Sequence, residues 1–139
     1  MNSRQLIIKL REKGFKVTPQ RLAICDFVLS SKEHPTTDQV YQEVKKNHPT
    51  MSLATAYQTL HLLTEIGLLQ ELELSNRIFR YDPNISPHIN IICENCGKIQ
   101  DYESESMKNF WSQIIQDLGF KPTGQRLDIY RHCDRCQKS

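Results

Sequence analysis

No stretch of about 18 consecutive apolar residues occurs in this chain, so no segment reads as a membrane-spanning helix. The first fifteen residues, MNSRQLIIKLREKGF, carry charges where a secretion signal has its apolar stretch, and export is not expected. Low-complexity tracts and internal repeats are missing, which excludes disordered, collagen-like and solenoid organisations. Glycine and proline are sparse, five and six in 139 residues, and the whole chain is expected to fold as one ordinary domain or two small ones. An excess of one charge sign is also lacking overall, since 18 basic residues face 16 acidic ones. That balance hides an asymmetry. Between Met1 and Arg21 stand six basic side chains (Arg4, Lys9, Arg11, Lys13, Lys16, Arg21) against the single acid Glu12. Such a run suits contact with a polyanion and equally suits a solvated helix face.

Cysteine is what the chain does have. Five are present, and four form two Cys-x-x-Cys pairs, Cys93 with Cys96 and Cys133 with Cys136. With no export signal, these pairs point to metal binding in a reducing cytoplasm rather than to a secreted disulfide scaffold. Each pair sets two thiolates on one side of a tight turn, and four sulfurs close a tetrahedral zinc site with no open position, which is structural rather than catalytic. A redox dithiol would place one pair at a helix N-terminus, and neither pair reads that way. Cys25 falls on an apolar helical stripe and reads as a small core residue.

Periodicity orders the rest. Leu6, Ile7 and Leu10 mark a first helix stopped by Gly14; Thr18 before Pro19 caps a second carrying Leu22, Cys25, Val28 and Leu29. Thr36 to Gln39 offers a capping box for a third helix with Val40, Tyr41 and Val44. Ser52 caps a fourth, whose inward stripe is expected to be Leu53, Ala56, Leu60 and Leu63, leaving Ala54, Tyr57, Gln58 and His61 on another face. Two short helices joined by a Pro-containing turn form a helix-turn-helix. Alternation over 68–74 and 77–81, parted by Ser75 and Asn76, predicts a hairpin, the wing of such a domain. Arg77 and Arg80 on it suit phosphate contact or plain solvent exposure.

The segment 82–87, with two prolines and no periodicity, is the linker candidate. The expected fold is therefore α+β: a winged helix-turn-helix domain over 1–82, a hinge at 83–87, and a small α/β dimerisation domain with a zinc staple over 88–139. In the latter, strands are expected at 88–93, 98–103 and 126–132, with an amphipathic helix from Glu105 to Leu118 ended by Gly119. So short a unit buries too little surface to be secure alone, and both a metal and a partner subunit are expected.

Several separated strings together carry a resemblance: GFKVTPQR at 14–21, HPTTDQVY at 34–41, SLATAY at 52–57 and ICENCGK at 92–98 with the second Cys-x-x-Cys. The chain resembles the ferric uptake regulator family of repressors over nearly its whole length, and within it most resembles the peroxide-sensing subgroup. The resemblance implies a regulatory metal site at His34, Asp82, His88 and Asp101, with Asn90 standing where the family has a second strand histidine. Asp rather than Glu at position 101 goes with peroxide sensing in that subgroup. Ligands of mixed nitrogen and oxygen suit Fe2+ or Mn2+, and an amide oxygen at Asn90 is a weaker ligand than imidazole. It further implies a cytoplasmic homodimer whose two recognition helices enter successive major grooves of a double-stranded operator, an inverted repeat. Tyr57 and Gln58 would read bases, Ser52 and Thr55 hold the backbone, and Lys13 and Arg77 meet phosphate or groove. Tyr57 equally suits packing. An iron- or manganese-uptake regulator is the alternative within the family. A zinc or thiol enzyme lacks the histidine–glutamate pair or nucleophile–base arrangement that turnover needs, and a zinc-stapled RNA- or protein-binding module would not bind duplex DNA in a metal-dependent way.

Overall fold

Asn2 opens the first helix with a reciprocal cap: its side chain accepts the Gln5 N–H at 2.9 Å while the Gln5 side chain accepts the Asn2 N–H at 3.2 Å. The structure, a computed structural model, describes residues 2–74 and 77–137, so the turn expected at Ser75 and Asn76 lies outside the described residues. The chain forms two compact units, Met1–Ile85 and Ser86–Ser139.

The first unit holds α1 (Ser3–Glu12), α2 (Pro19–Leu29), α3 (Thr37–Lys45), α4 (Leu53–Glu65) and the strands β1 (Gln70–Glu73) and β2 (Phe79–Asp82). Local chemistry sets each start. Thr18 accepts the Arg21 N–H at 3.2 Å with Pro19 at the first helical position, Thr36 and Gln39 form the expected box, and Ser52 accepts the Thr55 N–H at 3.2 Å. Gly14 and Gly67, at φ 79° and 81°, turn the chain at the ends of α1 and α4, where an L side chain is strained. Leu6, Leu10, Ile24, Cys25, Val28, Val40, Ala56, Leu60 and Leu63 pack into one core. The inward stripe of α4 differs from expectation at its first turn. Leu53 is 39% exposed, and Thr59 and Leu62 take buried places instead, because the first turn of the helix runs beyond the core it caps. The β1–β2 hairpin is antiparallel, with Glu71 opposite Tyr81 and Leu72 opposite Arg80.

The second unit contains β3 (Ile89–Cys93), β4 (Ile99–Tyr102), α5 (Glu105–Leu118), β5 (Leu127–Arg131) and the one-turn α6 (Asp134–Gln137). Its sheet has the order β4-β3-β5, antiparallel between β3 and β4 and parallel between β3 and β5, so α5 is the crossover that carries the chain past β3. Ser104 caps α5, accepting the Met107 N–H at 3.1 Å, and Gly119 ends it in the left-handed conformation. Few apolar side chains are buried in this unit: Ile92, Cys93, Ile99 and Met107, while Phe110, Phe120, Ile129 and Tyr130 are each more than half exposed.

Candidate metal centres

Cys93 ends β3, Cys96 follows in the turn to β4, and Cys133 and Cys136 flank the start of α6, so the parallel pairing of β3 with β5 delivers both pairs to one end of the sheet. The four sulfurs lie within 4.8 Å of one another, and the Cys96 and Cys133 Sγ atoms are 3.8 Å apart. A zinc ion with Zn–S bonds of about 2.3 Å has a tetrahedral edge of about 3.8 Å, so the four thiolates fit it. Backbone N–H groups of Cys96 and Cys133 donate to Cys93 Sγ at 3.5 and 3.3 Å, and Asn95 Nδ2 donates to Cys136 Sγ at 3.3 Å. The Cys96 amide, with those of Cys133 and Asn95, holds the Cys93 thiol down at about 5. The Cys136 amide likewise lowers Cys133. Cys136 is pushed up to about 11: Asn95 favours its thiolate, but the neighbouring sulfurs and burial outweigh that donor. The reading that neither pair stands at a helix N-terminus is corrected for Cys133, whose carbonyl accepts from the Cys136 and Gln137 amides of α6. A four-residue helix after a strand end leaves no periodicity to read. Cys25, fully buried in the first unit, has its thiol raised to about 12, chiefly by desolvation, as suits an inert core residue.

In the first unit the structure joins His34 and Asp82. Both are buried, and His34 Nε2 lies 3.3 Å from Asp82 Oδ2. The pairing is built by β2. Arg80 Nη1 donates to the His34 carbonyl at 3.0 Å, the Tyr81 amide donates to the Pro35 carbonyl at 3.0 Å, and Asp82 is the next residue along. His34 itself sits at φ 50°, a region costly for a side chain with a Cβ, so these bonds hold a strained residue in place. Arg80 is half-buried and one of its N–H groups is committed to the His34 carbonyl, a role that the alternation pattern alone does not reveal.

In the second unit His88, Asn90 and Asp101 come together. His88 Nδ1 is 2.7 Å from the Ser86 carbonyl, an acceptor, so Nδ1 carries a hydrogen; a ring that carries only that one turns a lone pair on Nε2 inward, as a metal ligand must. That Nε2 lies 3.0 Å from Asn90 Oδ1 and 3.5 Å from Asp101 Oδ1. With Nε2 unprotonated, one nitrogen and two oxygen lone pairs converge, and this donor set fits a metal of nitrogen and oxygen preference. Asp128 was not singled out by sequence reasoning. It accepts from Asn90 Nδ2 at 3.1 Å, from Arg126 Nε at 2.8 Å and from the Tyr130 hydroxyl at 3.2 Å, and its charge raises the Tyr130 phenol. The alternation Arg126, Asp128, Tyr130 is visible in the sequence; the parallel neighbour that gives it meaning is not.

The residues expected to meet DNA are on the surface of the first unit. Tyr57 is 53% exposed, Gln58 and His61 lie beside it on α4, and these three with Glu71, Phe79 and Tyr81 line an open hollow of about 410 Å³. The Ser52 and Thr55 hydroxyls are 2.9 Å apart at the start of α4. Lys13 is exposed at the C-terminal cap of α1, and Arg77 is exposed in the hairpin at φ 62°.

Residues 12–130 match the sequence profile described as the Ferric uptake regulator family. The chain is 39% identical over 129 residues to the peroxide operon regulator of Bacillus subtilis, a match covering 93% of this chain and 89% of that protein. It is 37% identical over 131 residues to the peroxide-responsive repressor of Staphylococcus aureus, covering 94% and 88%. Among solved structures it is similar to the Campylobacter jejuni peroxide stress regulator, with a TM-score of 0.74 at 32% identity over 98% of this chain and all of that one. Profile and relatives span both units, and the chain belongs to the ferric uptake regulator family.

Proposed function

We propose that this protein is a metal-dependent, DNA-binding transcriptional repressor that responds to peroxide through a regulatory Fe2+ or Mn2+ ion. The observation that carries the reading is a pair of histidine–carboxylate contacts, buried His34 with buried Asp82 in one unit and buried His88 with the exposed Asp101 in the other. The curated relatives named for peroxide response support it. In this reading His34, Asp82, His88, Asn90 and Asp101 hold the regulatory ion, and Cys93, Cys96, Cys133 and Cys136 hold structural zinc. The ion shifts the population towards the DNA-competent form by its differential affinity for the two forms. When bound, ferrous iron would supply the electrons that reduce peroxide, with a ligand histidine as the group open to oxidation. His34 and His88 are the two imidazoles of the set; loss of either as a donor releases the operator.

The exposed apolar residues of the second unit, Phe110, Phe120, Ile129 and Tyr130, support a homodimer. Two copies present two α4 helices to successive major grooves about 34 Å apart, which matches an inverted-repeat operator. Ser52, Thr55, Tyr57 and Gln58 contact it from α4, with Lys13 and Arg77 at the backbone or minor groove. The protein acts in the cytoplasm as a regulator and not as an enzyme.

The test is anaerobic. Protein loaded with Fe2+ and exposed to peroxide is expected to gain about one oxygen atom at His34 or His88, located by peptide mass mapping, and to release operator DNA, while the Mn2+ form resists. Unmodified histidines and intact DNA binding in both forms would instead support a second reading, an iron- or manganese-uptake regulator. That reading is favoured by Asn90, which leaves the site one imidazole short of the family pattern.

A further inference from the structure

Asn90 is the central member of a row across the second unit's sheet. It pairs with Asp101 on β4 and with Asp128 on β5, and His88, the residue before β3, brings its ring against the Asn90 side chain. It is 1% exposed, so its amide is surrounded by protein. An amide oxygen and an amide nitrogen have almost the same shape, and only neighbours decide which faces where. On one side stands Asp128 Oδ1, 3.1 Å from Asn90 Nδ2. A carboxylate only accepts hydrogen bonds, so the NH2 end must face it. Its other oxygen is already held by Arg126 Nε at 2.8 Å and the Tyr130 hydroxyl at 3.2 Å, which stops it turning away. The amide oxygen is then left 3.0 Å from His88 Nε2.

We propose that Asp128 is a positioning residue for the regulatory site: by accepting the Asn90 N–H it presents the amide oxygen, and not the nitrogen, beside His88 and Asp101. The consequence is chemical. An amide oxygen is a ligand for hard divalent cations, whereas an amide NH2 points hydrogens at them. The departure from the family pattern at position 90 is therefore compensated by an acid on β5 that converts asparagine into a fixed oxygen donor, and the site becomes oxygen-rich. This inference rests on the regulatory-site reading above.

Asp128→Asn is the informative change, because it keeps shape and inverts hydrogen bonding. The two donors Arg126 and Tyr130 draw the new side chain's oxygen to their side, its NH2 then faces Asn90, and Asn90 must turn its own oxygen away from His88. Mn2+ alone is titrated anaerobically into the full-length zinc-containing protein, with free Mn2+ read by electron paramagnetic resonance. Zinc content and circular dichroism check the fold, and Asp128→Ala serves the same comparison if the Asn form loses zinc. Asp128→Asn is expected to weaken Mn2+ binding about 10- to 100-fold. In an Asn90→Ala background it should cost nothing further, since Asp128 acts through Asn90. Unchanged affinity in Asp128→Asn overturns the proposal, as does an equal loss in the Asn90→Ala background, which would make Asp128 an independent ligand; both leave the regulatory site standing. Failure of the unaltered protein to bind either Mn2+ or Fe2+ removes the regulatory-site reading itself, and this inference with it.

Discussion

Arg80 carries a task that its place in an exposed-looking hairpin conceals. Its bond to the His34 carbonyl crosses 46 positions of sequence and holds that histidine at φ 50° beside Asp82. Arg80→Ala is expected to cost the first unit about 2 kcal/mol in denaturant unfolding, the range for a charge-assisted bond to a partly buried carbonyl. It should also weaken Mn2+ binding about tenfold in the same titration. Retained affinity would show that His34 keeps its place without the strap. At Cys93 the sign of a pH effect follows from the backbone amides that favour its thiolate. Held at about 5 in the fold against an ordinary value of 9, it supports the folded form fully above pH 9, less between 9 and 5, and not below 5. Zinc should therefore be retained at neutral pH and released as the medium is acidified towards 5, followed with a chromophoric zinc chelator; release already at pH 7 would contradict this.

The helices were legible because each begins with its own chemistry. Thr18 before Pro19, the Thr36–Gln39 box and Ser52 place the starts of α2, α3 and α4, and the observed caps use those same side chains. Strand ends were less so. The hairpin pairs over Gln70–Glu73 and Phe79–Asp82, shorter at its start than the alternation suggested, because pairing and not pattern ends a strand. From α4, separate effects are expected for two kinds of contact. Gln58→Ala should change base preference in competition binding, whereas Lys13→Ala should weaken every sequence alike and reduce the slope of log affinity against log salt by about 0.9. An equal loss on all sequences from Gln58→Ala would remove it as a reader of bases.

Over the whole molecule, stability is uneven. The first unit has a core of apolar side chains drawn from four helices, while the second buries few and ends its sheet in four cysteines. Zinc binding in small sites contributes on the order of 10 kcal/mol to folding, more than so small a core supplies. The purified protein should hold one zinc per chain. Cys93→Ser should lose it, melt the second unit and elute as a monomer in size-exclusion chromatography with light scattering, while the helical signal of the first unit survives. A zinc-free variant that remains a folded dimer would reverse this order of importance. No helix among the described residues is long and apolar enough to cross a membrane.

Local chemistry was enough to place the helices and the two Cys-x-x-Cys pairs, because caps, periodicity and thiol spacing act within a few residues of sequence, whereas the proposed regulatory ligands followed only from the resemblance of whole strings. Long-range register was not local, and it decided the rest. Only the parallel pairing of β3 with β5 sets Asp128 against Asn90 and brings Cys133 to Cys96, and only β2 running beside the His34–Thr36 segment gives Arg80 its partner. Strands pair through backbone groups common to every residue, so a sequence states which side chains share a face but leaves to tertiary packing which strand lies next to it.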